Sequence, residues 1–172
     1  ACEERISRER REEELLALLS RYEDAEKLFV EALEIDRKTL GSNHMQVSQD
    51  FINIAELHRI TGRTAESEKA FDEALAIQEM AVGRDHADVA RTLNNMAMLE
   101  MVSGSYEKAE KLAREALTID ERVLGIESRT VATDLNTLGA ICRASGKYPE
   151  ADSFFVRATA IDGKVLGPMH PD

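Results

Sequence analysis

The sequence predicts an all-α protein, a solenoid of stacked antiparallel helix hairpins. A thirteen-residue pattern recurs four times at intervals of 42 residues, and each copy ends in a glycine: Gly41, Gly83, Gly125 and Gly167. Apolar residues inside each copy follow one another at steps of three and four, which is the spacing of one helix face. One hairpin cannot bury its apolar face alone, so the same contact surface has to recur from copy to copy.

Eight helices follow from this repeat. Gly62, Gly104 and Gly146 lie between consecutive helices, where glycine allows the backbone to turn, and a Leu-Gly pair ends the longer helices. The expected spans, in chain order, are about 3–20, 22–40, 44–61, 64–82, 86–103, 106–124, 128–145 and 148–166.

The first of these helices is the least typical. Leu15 and Leu18 are in register with Leu57 and Ile60, but the charged stretch before them breaks the repeat pattern. Such a stretch is typical of a solvated or capping helix, and a coiled-coil segment is the alternative. We therefore expect an atypical N-terminal or capping helix over 1–20 and the repeat array over 21–172. The expected units are about 21–62, 63–104 and 105–146, with a partial unit over 147–172.

The packing between helices is predicted from alternating small and large side chains. Small residues at equivalent positions let two helices approach closely, and large residues fill the spaces between them. The small positions are Ala55, Ala97 and Gly139 on the first helix of each pair, and Ala32, Ala74, Ala116 and Ala158 on the second. The large ones are Leu28, Phe29, Phe71, Leu112, Phe154 and Phe155.

Composition and charge exclude several functions. A formal net charge of −11 repels phosphate, so nucleic acid is not an expected partner. The acidity is expected to keep the protein soluble, and a groove for basic peptides is the alternative. No apolar run is long enough to insert into a membrane. Cys2 and Cys142 are too few for a disulfide framework or a paired metal site, and a reducing, cytoplasmic location is expected. The Ala-Cys start leaves a bacterial lipoprotein site at Cys2 open as an alternative.

No catalytic or cofactor motif is found, so the chain is not expected to be an enzyme or to need a cofactor. His44, His86 and His170 recur with the repeat, but equivalent positions in successive units are too far apart to share a metal ion. We expect these histidines to pack loops or to hydrogen-bond the start of the next helix. The carboxylates are expected on outward helix faces, paired with Lys and Arg.

The spacing of Gly104, Tyr106, Ala109 and Ala116 resembles the tetratricopeptide repeat. The 42-residue period and the stretch Val82–Gly104, which reads VGRDHADVARTLNNMAMLEMVSG, are similar to the kinesin-light-chain type of that repeat. The resemblance implies a right-handed superhelix that binds protein partners in a concave groove. The chain departs from the pattern where Met45 and Ala87 replace a proline, and where Ser128 replaces a histidine.

The resemblance also implies which residues line the groove. Asn side chains there can hydrogen-bond the backbone of a peptide, and three arginines can hold its carboxylates. The alternative for Asn94 and Asn95 is a hydrogen bond to the neighbouring hairpin. The expected groove residues are Gln49, Ile52, Asn53, Glu56, Arg59, Arg91, Asn94, Asn95, Met98, Met101, Thr133, Asn136, Thr137, Ala140 and Arg143.

The predicted function is a non-catalytic scaffold that binds a peptide or a helix of a partner protein, with a monomer favoured. Two alternatives stay open: a self-assembling structural module, and a regulatory repeat segment of a larger enzyme. The last residues, LGPMHPD, are similar to the start of another repeat, so we expect the chain to be a fragment of a longer protein.

Overall fold

A computed structural model describes the backbone of residues 2–166 and the side chains of residues 20–164. The predictions for His170, for the side chain of Cys2 and for the last six residues lie outside these described residues. Within them the chain forms seven helices and no strand, which confirms the predicted all-α class. The helices are α1 (Cys2–Leu40), α2 (Met45–Ile60), α3 (Thr64–Val82), α4 (Ala87–Val102), α5 (Tyr106–Leu124), α6 (Arg129–Ala144) and α7 (Tyr148–Leu166).

The predicted break between two helices near residue 21 is wrong. Helix α1 continues through Ser20 without interruption. The later pairs turn at Gly62, Gly104 and Gly146, whose φ angles are 75°, 82° and 82°. Ser20 occupies the same register position, and a positive φ is strained for a residue that has a Cβ. The chain therefore stays helical where the other units turn, and a capping role for residues 1–20 stays a prediction.

The helices α2, α4 and α6 begin in the same way. The Nδ1 atoms of His44 and His86 each accept a hydrogen bond from the backbone N–H two residues later, at 3.1 and 3.2 Å. The hydroxyl of Ser128 does the same at 3.2 Å. A side-chain acceptor at this position satisfies one of the unpaired N–H groups of the first helical turn. The predicted hydrogen bond from these histidines to the next helix start is confirmed.

The helices pack in antiparallel pairs, α2 with α3, α4 with α5, and α6 with α7. Neighbouring pairs join through α1 on α2, α3 on α4 and α5 on α6, and α4 also contacts α6. Each pair therefore buries one face within itself and another against the next pair. This is the stacking that defines a helical repeat solenoid.

The periodic small residues form the inside of these contacts as predicted, except Ala32 on α1, which is only half-buried. Ala55 and Ala97 are fully buried, and so are Ala74, Ala116 and Ala158 to within 1%. Gly139 lies against the ring of Phe155. Leu28 is an exception to the predicted packing, because 65% of it is exposed. In the part of the chain that the structure describes, no helix combines the length and the hydropathy needed to cross a membrane.

Candidate functional site

The predicted groove residues occupy five register positions that recur on α2, α4 and α6. We call this surface the groove face. Its positions follow the helical spacing i, i+3, i+4, i+7 and i+10, so they form a single stripe on each helix. The helices α4 and α6 are in contact, so two of the three stripes lie on neighbouring helices.

On α2 the groove face is largely closed by its own contacts. The side-chain amide of Gln49 donates to Oδ1 of Asn53 at 3.1 Å, and Arg59 forms an ion pair with Glu56 at 2.8 Å. Ile52 is only 5% exposed and belongs to the apolar core between α2 and α3, so it contributes packing rather than surface. The α2 part therefore has little polar capacity left for a ligand.

On α4 the groove face is more open. Arg91 is exposed and pairs with Asp88 at 2.8 Å, and Met98 is 38% exposed. Asn95 is half-buried, and the half-buried Met101 packs against the apolar core that α4, α5, α6 and α7 share. Asn94 is 9% exposed, and its buried Oδ1 atom has no hydrogen-bond partner among the described residues. Asn94 lies three residues after Arg91 and four before Met98, on the same stripe of α4.

On α6 the groove face is the most exposed. Thr133, Asn136 and Arg143 are exposed, and Thr137 and Ala140 are half-buried. The guanidinium of Arg143 lies 5.8 Å from the centre of the Phe155 ring, a distance at which the ring's negative face attracts the cation. This contact positions the charge and leaves the N–H donors of the arginine available.

Sequence reasoning missed a set of buried polar pairs between hairpins. The expectation that carboxylates face outward is wrong for Asp50, Glu100, Asp120 and Asp134, all of which are buried. Burial raises the pKa of Asp134 to about 8, and the neighbouring carboxyl of Asp120 adds to the rise. Burial also raises the pKa of Asp120 and of Asp50, whose neighbour is Asp36. Each pair keeps the 42-residue register, which is the signal that could have found it.

A second missed feature is a row of ion pairs at the turns between helices. Glu26, Glu68 and Glu110 share one register position. Glu26 pairs with Arg63 at 2.7 Å, and Glu110 pairs with Lys147 at 2.7 Å. In the middle unit the equivalent cation is missing, and Lys108 serves Glu68 and Glu100 instead. A hollow of about 560 Å³ lies beside Lys108, Glu110 and Lys147, away from the groove face. Since Lys108, Glu110 and Lys147 are already engaged in ion pairs, the hollow belongs to this row.

One cluster could in principle hold a metal ion. Ligand atoms of Glu110, Cys142 and Glu150 lie within 4.8 Å of one another. Lys147 and Arg114 already neutralise Glu110, at 2.7 and 2.6 Å. Burial raises the pKa of the Cys142 thiol, which disfavours the thiolate that binds metals. The cluster fits an ion-pair network better than a metal site.

Comparison with known proteins places the fold. The model of the tetratricopeptide repeat family matches residues 14–80, 48–100 and 88–164, which together span most of the chain. A comparison with curated protein sequences finds no match.

Two solved structures illustrate the similarity. BtubC (BKLC) from P. vanneervenii superposes with a TM-score of 0.78 at 22% identity, over 89% of this chain and 61% of that one. The TPR-like repeats of a putative kinesin light chain from Podosopora anserina superpose with a TM-score of 0.70 at 20% identity, over 85% of this chain and 69% of that one. The chain thus spans about three fifths of the first of these proteins. At identities of 22% and 20% the likeness shows the fold alone, a stacked array of antiparallel helix pairs.

Proposed function

The chain belongs to the tetratricopeptide repeat family, whose repeats are generally protein-interaction modules, and we propose that it binds a peptide segment of a partner protein on the groove face of α4 and α6. In this proposal the array is a non-catalytic scaffold, and the groove face is its concave surface. Protein is the partner class, and the charge of −11 argues against nucleic acid. A cytoplasmic location stays a prediction.

The observation that carries the proposal is the difference in exposure among the three helices. On α2 the groove-face side chains are half-buried or buried, and they pair with one another. On the adjoining helices α4 and α6, Arg91, Met98, Asn136 and Arg143 are exposed. A surface that joins two cations, an amide and an apolar side chain can form several kinds of contact at once.

The chemistry of these side chains indicates the class of peptide. A guanidinium can donate two parallel hydrogen bonds to a carboxylate, so Arg143 favours an acidic side chain, and so does Arg91 when it exchanges its ion pair with Asp88 for one with the ligand. The flexible thioether of Met98 adapts to an apolar side chain between them. The amide of Asn136 can both donate to and accept from a peptide backbone. We therefore expect a segment with carboxylates on either side of an apolar residue.

The test is a selection from a randomised peptide display library with the array as bait. Enriched peptides should contain Asp or Glu flanking an apolar residue. The variant Arg91→Glu with Arg143→Glu should weaken binding of a selected peptide by roughly a hundredfold, since two charge-assisted contacts become repulsive. Binding is measured by fluorescence anisotropy or calorimetry.

The matched control reverses the charge of two exposed lysines outside the groove face, one on α3 and one on α5, as Lys69→Glu with Lys111→Glu. It changes the net charge by the same amount but leaves the groove face intact. The control should bind the selected peptide with close to the original affinity, weakened only by the general charge effect. Equal weakening in both double variants, or none in the first, would move the binding surface elsewhere.

A further inference from the structure

The contact between α5 and α6 has a polar pair beside its apolar core. That core contains small and large apolar side chains of both helices: Ala113, Leu117, Val131 and Leu135. Asp120 follows Leu117 by three residues, and Asp134 follows Val131 by three, so each carboxyl lies one helical turn from the core. The two aspartates are 0% and 3% exposed. We call Asp120 and Asp134 the carboxyl joint.

The neighbouring unit shows what this position requires. One unit earlier the same register positions hold Gln78 and Thr92. There the hydroxyl of Thr92 donates a hydrogen bond to Oε1 of Gln78 at 2.8 Å. The contact is thus made by one donor and one acceptor. Ionised carboxylates only accept hydrogen bonds, so Asp120 and Asp134 can make the same contact only when one of them carries a proton.

Among the described residues no other group supplies the missing donor. Both oxygens of Asp120 and Oδ2 of Asp134 are buried and have no hydrogen-bond partner there. The charged side chains at this end of the packed helices are Asp88 and Arg91 on α4, Glu121 on α5, Arg129 on α6, and Arg157 and Asp162 on α7. Asp88 pairs with Arg91. Glu121 pairs with Arg157. Arg129 is exposed and Asp162 is half-buried. In the described part of the chain, therefore, none of these cations pairs with the joint.

The protonation of the joint changes near neutral pH. Burial, then the charge of Asp120 and a hydrogen bond to it, raises the pKa of Asp134 to about 8. Once the proton has left, two like charges face each other in apolar surroundings without a cation, which is a costly arrangement. Separation of α5 from α6, with entry of water, relieves this cost. The contact that holds α6 in place is therefore weaker above about pH 8 than below it.

We propose that the carboxyl joint regulates the groove face: with its proton it holds α6 beside α4, and without its proton α6 loosens and peptide affinity falls. This inference rests on the proposed function, in which the ligand contacts α4 and α6 together. Arg91 and Met98 lie on α4, whereas Asn136 and Arg143 lie on α6 together with Asp134. A shift of α6 therefore separates the two halves of the binding surface.

The other two joints between hairpins provide a comparison within the same chain. Gln78 and Thr92 do not ionise in this pH range, so the contact between α3 and α4 keeps its hydrogen bond. Asp36 and Asp50 form a second carboxyl pair, but they join α1 to α2, away from the groove face of α4 and α6. Copying glutamine and threonine into either carboxyl pair removes two carboxyls, so the two double variants are matched in charge.

The first experiment measures the movement of the joint without a ligand. Spin labels at Val102→Cys on α4 and Val156→Cys on α7 report the spacing of neighbouring hairpins, since these positions are 72% and 70% exposed. Cys2→Ser prevents labelling at residue 2, and the thiol of Cys142 is buried. The distance distribution between the labels should be narrow at about pH 6 and broader or shifted at about pH 9, where the joint is ionised.

The two matched variants locate the cause of this change. Asp120→Gln with Asp134→Thr should give the same narrow distribution at both pH values, because the copied pair keeps its hydrogen bond. Asp36→Gln with Asp50→Thr should respond to pH as the parent does. A parent distribution that does not change with pH overturns the proposal, and so does an equal change in the variant of the carboxyl joint.

The second experiment measures the affinity of a peptide selected on the groove face, with blocked termini, over the same pH range. The parent should lose about tenfold in affinity as the pH rises from about 6 to about 9, and binding near pH 8 should take up protons, because the coupling is reciprocal. The carboxylates of the peptide and the arginines of the groove face keep their charges in this range. Asp120→Gln with Asp134→Thr should keep its affinity to within about twofold, whereas Asp36→Gln with Asp50→Thr should lose as much as the parent.

The outcomes separate the joint from the proposed function. Equal losses of affinity in all three proteins would assign the effect to groups that they share, such as the histidines, and would overturn the proposal. A parent affinity that is unchanged at about pH 9 would do the same. If no peptide binds at any pH, the proposed function fails, and the label distances still decide whether the carboxyl joint moves.

Discussion

The hydroxyl of Thr92 donates a 2.8 Å hydrogen bond to Oε1 of Gln78 where α4 packs against α3. Both side chains are buried, with 0% and 1% of their surface exposed. One unit later the same register positions hold Asp134 and Asp120, and one unit earlier Asp50 and Asp36. A polar pair is therefore repeated at each joint between hairpins, as a neutral pair in the middle and as a carboxyl pair on either side.

The carboxyl pair predicts a stability that falls as the pH rises. Burial raises the pKa of Asp134 to about 8, and it raises the pKa of Asp120 as well. The folded state therefore keeps a proton that the unfolded chain releases near its ordinary pKa of 3.8. The stabilisation of the folded state by this retained proton is fully present below about pH 4 and is lost as the pH rises to about 8. The free energy of unfolding should fall by up to about 1.4 kcal/mol per pH unit in this window.

Urea unfolding at a series of pH values measures this slope. The variant Asp120→Gln with Asp134→Thr copies the middle joint and removes both titrating groups. Its free energy of unfolding should depend less on pH than that of the parent between about pH 4 and 8. The other ionisable groups are common to both proteins, so the difference between the two curves isolates the pair. If the free energy of unfolding changed equally with pH in both proteins, the Asp120–Asp134 pair would not be the cause of the pH dependence.

The sequence predicted the helices well where a turn residue marks their ends. Gly62, Gly104 and Gly146 each have a positive φ, and the helix ends lie within a few residues of the predicted spans. The prediction failed at Ser20, because the apolar register of Leu15 and Leu18 suggested a hairpin whose turn residue is absent. Register shows which residues can pair, but the backbone conformation of the turn decides whether the chain reverses.

The sequence predicted the buried carboxyl pairs and the groove face less well than the helices. A carboxylate is usually solvated, so Asp120 and Asp134 were expected at the surface although their 42-residue register with Gln78 and Thr92 marks them as a recurring polar pair. The groove face could be assigned by register, but its openness could not. Exposure there depends on local pairing, such as that of Gln49 with Asn53, which the repeat does not preserve on α4. The groove residues therefore stay predictions until a ligand is measured.

The contact of Gly139 with Phe155 predicts a sterically sensitive site. A Cβ at Gly139 would lie 2.6 Å from Cε1 of Phe155, too close for a carbon contact. Gly139→Ala should therefore destabilise the fold by about 1–2 kcal/mol, despite the roughly 1 kcal/mol by which alanine favours a helix. Urea unfolding of this variant gives the value.

A double variant separates the clash from other effects. Phe155→Leu removes ring atoms, so Gly139→Ala should cost less in its presence, and the two changes should be non-additive. Additive costs would show that the ring does not limit the site. One unit earlier the equivalent positions hold Ala97 and Ala113, so there an alanine packs against another small side chain instead of a ring.

The helix caps predict that histidine is replaceable at residue 86. His86 accepts a hydrogen bond from the backbone N–H of Asp88, and Ser128 makes the same bond at the start of α6. His86→Ala should cost about 1 kcal/mol of unfolding free energy, whereas His86→Ser should cost only a few tenths. Thermal or urea unfolding distinguishes them. If serine were as destabilising as alanine, the imidazole ring would have a role beyond the cap.

The row of ion pairs predicts that Glu26 fastens α1 to the array. Its carboxylate accepts hydrogen bonds from Arg63 at 2.7 and 3.0 Å and lies 2.9 Å from Nε2 of His58. Hydrogen bonding to Arg63 and then to His58 lowers the pKa of Glu26. Glu26→Gln should therefore cost about 1–2 kcal/mol at neutral pH, since it removes the charge from a two-pronged contact.

The pH dependence of that cost identifies its origin. A carboxylate with a lowered pKa stabilises the fold above its ordinary value of 4.5, and this contribution is lost as the pH falls below it. The difference between the parent and Glu26→Gln should thus shrink on acidification. Lys27→Gln is the matched control, because Lys27 is exposed and pairs only with Asp24, at 3.4 Å, among the described residues. Its cost should stay within about 0.5 kcal/mol. A Glu26→Gln cost that persists unchanged in acid would point to lost packing, because protonation would already have removed the charge in the parent.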